Sequence, residues 1–277
     1  MTTIVSWNVA QRSEPWAQLL AMDADVALLQ EAAAPPEGVR YRVWHSNVPF
    51  HTPGPEGYRP VKWRAAVVRL SNRVKVDWIE AKPLVDAEWG EFAVTRPGTL
   101  EAAWVTPPLG EPFIVCSMYS QWTRPLKGAG EWIMADNSAH RLISDLSGLI
   151  GRQRGHRIIA AGDLNIFHGF GDGGSKYWEA RYRTVFDRMT AIGLEFMGPQ
   201  APNGRQAEPR GYGEPADSKN VPTYHTNRQS PATAQNQLDY VFASRGFHER
   251  VTVRALNNPE DWGPSDHCRV LIEVSEG

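Results

Sequence analysis

Six short strings along the chain each pair an apolar, strand-like run with an acid, an amide or an imidazole. They are Ser6-Trp7-Asn8, Gln30-Glu31, Met118-Tyr119, Gly162-Asp163-Leu164-Asn165, Gln237-Leu238-Asp239-Tyr240 and Ser265-Asp266-His267. A carboxylate at the end of a buried strand is desolvated and needs a cation or donors beside it. Glu31, after Ala27-Leu28-Leu29, is such a group, and Asn8 is a neutral oxygen ligand that can sit next to it. Together they offer hard, oxygen-only donors that suit Mg²⁺, whose remaining positions take water and substrate phosphate. Asp163 and Asn165 are two residues apart after an apolar run, so they address one face. There the carboxylate can orient or deprotonate water and the amide can hold a phosphoryl oxygen. Asp239 lies among apolar residues, where an unpaired charge is costly. A bond to His267 resolves that cost, fixes the imidazole tautomer and stabilises its cation. Asp266 is a second acid beside the histidine. Each string alone also fits an ordinary turn or strand end. Their order and spread point to one convergent site suited to phosphate ester chemistry.

Such a site needs elements that bring its parts to one place. Residues 3–7 are β-prone, 15–22 carry apolar residues at helical spacing with Pro15 suited to a first turn, and 25–31 read as a buried strand. This unit makes its two strands parallel neighbours and sets Asn8 and Glu31 at the same edge of one sheet. Residues 32–62, rich in Pro, Gly and aromatics, read as a long loop with short strands. Runs at 64–70, 74–79, 99–105 and 113–119 suggest consecutive antiparallel strands, with Pro107-Pro108-Leu109-Gly110 as the last turn. Helical periodicity at 131–150 includes Trp132 and stops at Gly151; a second helix at 176–192 stops at Gly193. Between them, an apolar strand at 157–161 feeds Gly162-Asp163. Residues 198–235 are too polar for core and read as a mobile or substrate-facing insertion. Strands at 237–244, 251–256 and 269–274 close the chain, with Asp266-His267 in the turn entering the last. Two packed sheets flanked by helices fit this order.

The 277 residues contain no Ser/Gly-rich or charge-biased linker and suit one large domain. Lys+Arg 29 against Asp+Glu 31 gives a net charge of -2, which argues against indiscriminate attachment to a polyanion. A local basic rim could still come from Arg152, Arg154, His156 and Arg157 before the Asp163 strand, and from Lys176, Arg181, Arg183 and Arg188 after it. Of the 11 tryptophans, Trp63, Trp89, Trp122 and Trp262 fall where a base or sugar could stack. Cys116 and Cys268 sit in apolar runs and read as reduced and buried. No signal-peptide pattern follows Met1, and no apolar run nears the ~20 residues of a membrane span, so a cytoplasmic location is expected. The other histidines lack zinc-like spacing. P-loop, G-x-G-x-x-G, G-x-S-x-G and Cys-His nucleophile patterns are absent, which argues against nucleotide kinases, Rossmann enzymes and serine or cysteine hydrolases.

Taken in order, the strings resemble the endonuclease/exonuclease/phosphatase superfamily, metal-dependent phosphoesterases that include DNase I and the exonuclease III type of repair nuclease. The likeness runs from Trp7-Asn8 to Asp266-His267. It implies a DNase I-like α/β fold, a four-layered sandwich of two packed mixed sheets flanked by helices, with residues 1–277 as a single domain. It implies Mg²⁺, with Mn²⁺ as a substitute, held by Glu31, Asn8 and Asp266. The implied catalytic set is Asp163, His267, Asp239, Asn165 and Tyr119, with Asn165, Tyr119 and His267 touching substrate. Tyr119 looks like the family's phosphate-contacting aromatic or imidazole, to within one residue of register. The expected activity is that of a nuclease hydrolysing phosphodiester bonds by in-line attack of an activated water. A phosphatase or phosphodiesterase of a small-molecule or lipid phosphate ester is the alternative, and a non-catalytic binding domain on the same fold a third reading. Gln237 and the polar 198–235 segment depart from the repair-nuclease pattern.

Overall fold

Strands covered on both faces carry continuous apolar runs, and those runs dominate the middle of both sheets here. The computed structural model describes residues 1–51, 61–123, 134–151 and 155–275. The first half of the chain forms β1 (Thr2–Asn8), α1 (Glu14–Ala21), β2 (Val26–Ala32), α2 (Glu37–Arg40), β3 (Trp44–His45), β4 (Arg64–Arg69), β5 (Lys75–Ile79), β6 (Ala81–Pro83), β7 (Phe92–Val94), β8 (Leu100–Thr106) and β9 (Phe113–Tyr119). The second half forms α3 (Ala135–Ile150), β10 (Ile158–Asp163), α4 (Lys176–Ala191), β11 (Leu194–Gly198), β12 (Asp239–Ser244), β13 (Val251–Leu256) and β14 (Arg269–Val274).

One six-stranded sheet has the order β13-β14-β1-β2-β4-β3, the other β11-β12-β10-β9-β8-β5. Both are mixed. β1 is parallel to β2 and antiparallel to β14, while β10 is parallel to β9 and antiparallel to β12. The inner faces meet through Ile4, Leu28 and Val67 of the first sheet and Val115, Ile159 and Val241 of the second. Outside, α1 buries Trp16 and Leu19 against Val5, Ala27 and Leu29. On the far side, Leu142 and Leu146 of α3 and Val185 and Phe186 of α4 pack on Cys116, Ala160 and Phe242. The layers run helix, sheet, sheet, helix, which is the expected four-layered sandwich.

Three expectations need correction. The four strands read as consecutive antiparallel neighbours are divided between the sheets: β4 pairs with β2, and β5 with β8. β4 is a largely apolar run and β5 an alternating one, and neither pattern shows which sheet a strand joins. The 198–235 segment is not a free polar loop, because Val221 and Ala234 pack with Trp262 and Cys268. Gln237 anchors it, donating Nε2 to the Pro199 carbonyl at 2.8 Å and accepting from the Val221 amide at 3.0 Å. Trp63 and Trp262 are buried and unavailable for stacking, whereas Trp89 and Trp122 are exposed. Arg152, Arg154, Trp132 and the expected helix start at residue 131 lie outside the described residues.

Candidate active site

Strand direction gathers the chemistry. Asn8 ends β1 opposite Gln30, and Asp163 ends β10 opposite both Tyr119 and Asp239. Parallel pairing therefore brings the ends of β1 and β2, and of β9 and β10, to one edge, where antiparallel β12 begins. Two backbone devices refine the placement. Pairing of β2 with β4 shifts register between Leu29 and Ala32, and Glu31 has a φ of 46°. This bulge takes the Glu31 side chain out of the strand's alternation. At Gly162 a Cβ would lie 1.9 Å from the Met118 carbonyl oxygen, so only glycine lets β10 pass β9 closely enough to set Asp163 beside Tyr119.

The two sheets touch through polar groups at this edge. Asn8 Nδ2 donates to Asp163 Oδ2 at 3.0 Å and to Glu31 Oε1 at 3.3 Å. Tyr119 donates its hydroxyl to Glu31 Oε1 at 2.8 Å, and Gln11 Nε2 donates to Glu31 Oε2 at 3.1 Å. Asp163 is buried and also accepts from the Asn165 amide N–H at 2.8 Å and its Nδ2 at 3.1 Å. Burial raises its pKa to about 7, opposed by the charge of His267 and reinforced by that of Asp239. Burial also raises the Tyr119 hydroxyl well above its ordinary value, with Glu31 acting in the same direction.

His267 lies between two carboxylates, with Nδ1 2.8 Å from Asp239 Oδ2 and Nε2 3.8 Å from Asp163 Oδ2. Burial works against its cation, but Asp239 and Asp163 outweigh that cost and raise the pKa to about 10. As an imidazolium the ring donates from both nitrogens, so Nδ1–H is held by Asp239. At 3.8 Å the Nε2 proton is beyond a hydrogen bond to Asp163 and remains free for another acceptor.

Two supporting residues, Thr223 and Tyr224, lie outside the motif strings, and two within them, Trp7 and Ser265, hold the site's backbone. Thr223 Oγ1 accepts from the Leu238 and Asp239 amides at 3.0 and 3.1 Å, fixing the start of β12. The Tyr224 ring lies 4.8 Å from that of His267, and Trp7 Nε1 donates to the His267 carbonyl at 2.8 Å. Ser265 Oγ donates to the Asn8 carbonyl at 2.6 Å, tying the His267 turn to β1. The β-prone Val221-Pro222-Thr223-Tyr224 run, inside an otherwise polar segment, was the available clue to the first two.

Asp266 stands at the margin of the cluster, where its charge helps to keep His267 protonated. Asp266 is half-buried, accepts from Ser265 Oγ at 3.3 Å, and has no hydrogen bond to Glu31 or Asn8 among the described residues. Among the described residues the arginines of the expected basic rim lie away from Asp163. Arg181 pairs with Asp136, Arg183 with Glu179 and Arg188 with His140 on the helical layer. Arg157 pairs with Glu111 at the other end of β10, roughly 20 Å of strand from Asp163 at about 3.3 Å per residue.

Among the described residues no group of three or more His, Cys, Asp or Glu side chains forms a metal-binding cluster. The donors at the Glu31 edge nevertheless fit a hard divalent cation. Glu31 is half-buried, and among the described residues its carboxylate meets only neutral donors, Asn8, Tyr119 and Gln11, which leave its charge uncompensated. Mg²⁺ is commonly held by one or two carboxylates and completes its shell with water and substrate oxygens.

DNase I-like sandwiches of this layout are a class of phosphate ester hydrolases. Within that class the chain belongs to the Endonuclease/Exonuclease/phosphatase family, whose model matches residues 5–267. Among solved structures it is similar to the endonuclease domain of TRAS1, a telomere-specific non-LTR retrotransposon, at 16% identity and a TM-score of 0.60, covering 99% of this chain and 98% of that one. It is similar to the 3′ phosphatase NExo from Neisseria, solved with a product DNA hairpin, at 18% identity and a TM-score of 0.55, covering 99% and 100%. An AP endonuclease from Archaeoglobus fulgidus is similar at 14% identity and a TM-score of 0.56, also covering 99% and 100%. No curated protein matches the chain. No helix among the described residues is long and apolar enough to cross a membrane.

Proposed function

We propose that this chain, as a single domain over residues 1–277, is a nuclease that hydrolyses nucleic-acid phosphodiester bonds with Mg²⁺ or Mn²⁺ as cofactor. The observation that carries this reading is the meeting of the two sheets at Asp163, held by Asn8 from one side and faced by the Asp239-paired His267 from the other. The cation would supply charge neutralisation at the phosphoryl oxygens, with Glu31, Asn8 and Asp266 as its candidate ligands. Asp163, with a pKa near neutrality, takes the proton of the attacking water while Asn8 and Asn165 fix its carboxylate. His267 donates from Nε2 to a nonbridging phosphoryl oxygen and stabilises the charge that grows during in-line displacement. Asp239 keeps the ring charged and oriented. Asn165 and Tyr119 contact the substrate phosphate.

Nucleic acid is favoured over a smaller ester by the company the fold keeps: two of the similar structures are endonucleases, and a third was solved with DNA. The two buried, free cysteines support a reducing, cytoplasmic setting. The deciding experiment offers plasmid DNA, abasic duplex, single-stranded DNA, RNA, phosphoinositide and bis(p-nitrophenyl) phosphate, each with and without EDTA. EDTA-sensitive cleavage of at least one nucleic acid is expected. Asp163→Ala, Glu31→Ala and His267→Ala should each lower it by at least ~100-fold without unfolding the chain, as checked by circular dichroism. Intact DNA and RNA beside turnover of phosphoinositide or the small ester would transfer the assignment to that ester. Silence on every substrate would favour a binding domain.

A further inference from the structure

A pair of arginines on the Tyr119 side of the site has no role in the chemistry above. Arg96 lies in the turn between β7 and β8, and Arg141 on α3; both are half-buried. The turn is clamped to the helix by Asp145, which accepts from the Thr95 amide at 3.1 Å and from the Thr95 hydroxyl. Arg141 precedes Asp145 by one helical turn and Arg96 follows Thr95 directly, so the clamp sets the two arginines near enough for their like charges to oppose each other. The same turn reaches the site. The Arg96 carbonyl accepts from the Thr99 hydroxyl at 2.8 Å, and the Thr99 carbonyl accepts from the Tyr119 amide at 2.8 Å.

Among the described residues neither guanidinium makes a salt-bridge contact, although Arg141 feels the opposite charge of Asp145. Among the described residues the Arg96 side chain has no ion pair or hydrogen bond, and Arg141 donates only to Ser138 Oγ, at 2.8 Å. Of the nearby acids, Asp136 is paired with Arg181, and Asp145 spends its hydrogen bonds on Thr95 while facing the charge of Arg141 without a direct contact. Burial, then the like charge of Arg141, hold Arg96 below its ordinary pKa, while Tyr119 acts the other way. Arginine does not deprotonate in proteins, so the repulsion persists until an anion arrives. A phosphate, with oxygens matched to two guanidinium forks, is the anion such a pair binds best.

We propose that Arg96 and Arg141 form a second phosphate subsite, which takes a neighbouring backbone phosphate of the strand being cut. It rests on the nuclease reading and gives it a binding register on one side of the scissile bond. It also explains how a chain of net charge -2 could hold a polyanion: through a local pair rather than a basic surface.

The test compares wild type with Arg96→Gln, Arg141→Gln and their lysine counterparts on a fluorescent oligonucleotide and on bis(p-nitrophenyl) phosphate, which carries one phosphate. The glutamine variants should lower the oligonucleotide-to-small-ester ratio of kcat/KM about tenfold, mainly through KM, and flatten the salt dependence of oligonucleotide cleavage by about one unit of slope. The lysine variants, which keep the charge, should recover most of that slope. Unchanged oligonucleotide KM and slope in both glutamine variants would overturn the subsite and leave the nuclease reading standing. So would an equal loss on the two substrates, since that would mean a general effect on the site. Wild-type turnover of the small ester with the oligonucleotide left intact would overturn the nuclease reading itself, and the subsite with it.

Discussion

His267 is a buried cation kept charged by two carboxylates, 2.8 Å from Asp239 and 3.8 Å from Asp163. Its pKa is raised from 6.5 to about 10, so its charge contributes stability that is fully present below about pH 6.5 and lost as pH rises through about 10, while Asp163, whose pKa is about 7, adds its negative charge only as pH rises through neutrality. In the metal-free protein, NMR should find the ring still charged at pH 8. In Asp239→Asn the ring should lose its proton at lower pH, and the alkaline loss of stability should move down with it. A wild-type ring that titrates near 6.5 would remove the charged pair from the mechanism. Asp163 and His267 were both legible as residues, because an acid or imidazole beside an apolar run must find a partner. The contact between their environments was not, since Asn8 and Asp163 are 155 positions apart.

Elements position this cluster through a few backbone and polar details. Gly162→Ala would drive a Cβ onto the Met118 carbonyl, in a strand that cannot shift without moving Asp163. Loss of roughly 1–3 kcal/mol or more is expected from such overpacking, measured by urea unfolding, with activity falling alongside. Ser117 is the other lever. It accepts from Gln30 Nε2 at 3.0 Å and donates to the Leu29 carbonyl at 2.6 Å, joining the two sheets just inside the site. Ser117→Ala should cost about 1–3 kcal/mol by leaving buried polar groups unpaired, while lowering turnover less than Asp163→Ala does. The order of strands and helices was readable from period and breakers. The bulge that redirects Glu31 was not, because register depends on the partner strand, and neither was the assignment of β4 and β5 to different sheets.

At the scale of the whole molecule, near-neutral charge limits how a polynucleotide can be held. Cleavage should weaken as salt rises, with a slope of about -0.9 for each duplex phosphate contacted, so a total of about -2 to -4 is expected if only the site and its rim take part. A slope near -10, measured from kcat/KM between 50 and 200 mM salt, would require a basic surface that the described residues do not present. Of the described arginines expected to supply one, Arg181 pairs with Asp136 and Arg183 with Glu179 on the helical layer.

The sequence by itself determined which polar residues stand at the ends of apolar runs and which neighbours each has along its strand. Local chemistry sufficed for that: Asn8, Glu31, Asp163, Asp239 and His267 sit at ends of apolar runs, where their polarity is unaffordable without partners, and parallel strands bring such ends to one edge. Tertiary structure alone decided which groups meet. Packing of the sheets sets Asn8 on Asp163 and stands His267 between two carboxylates, while loop and helix contacts bury Val221 and Ala234 of the polar 198–235 segment and tie the Thr95 turn to α3. Those contacts join distant segments through geometry, and no local pattern of apolar and polar residues encodes a distance between sheets.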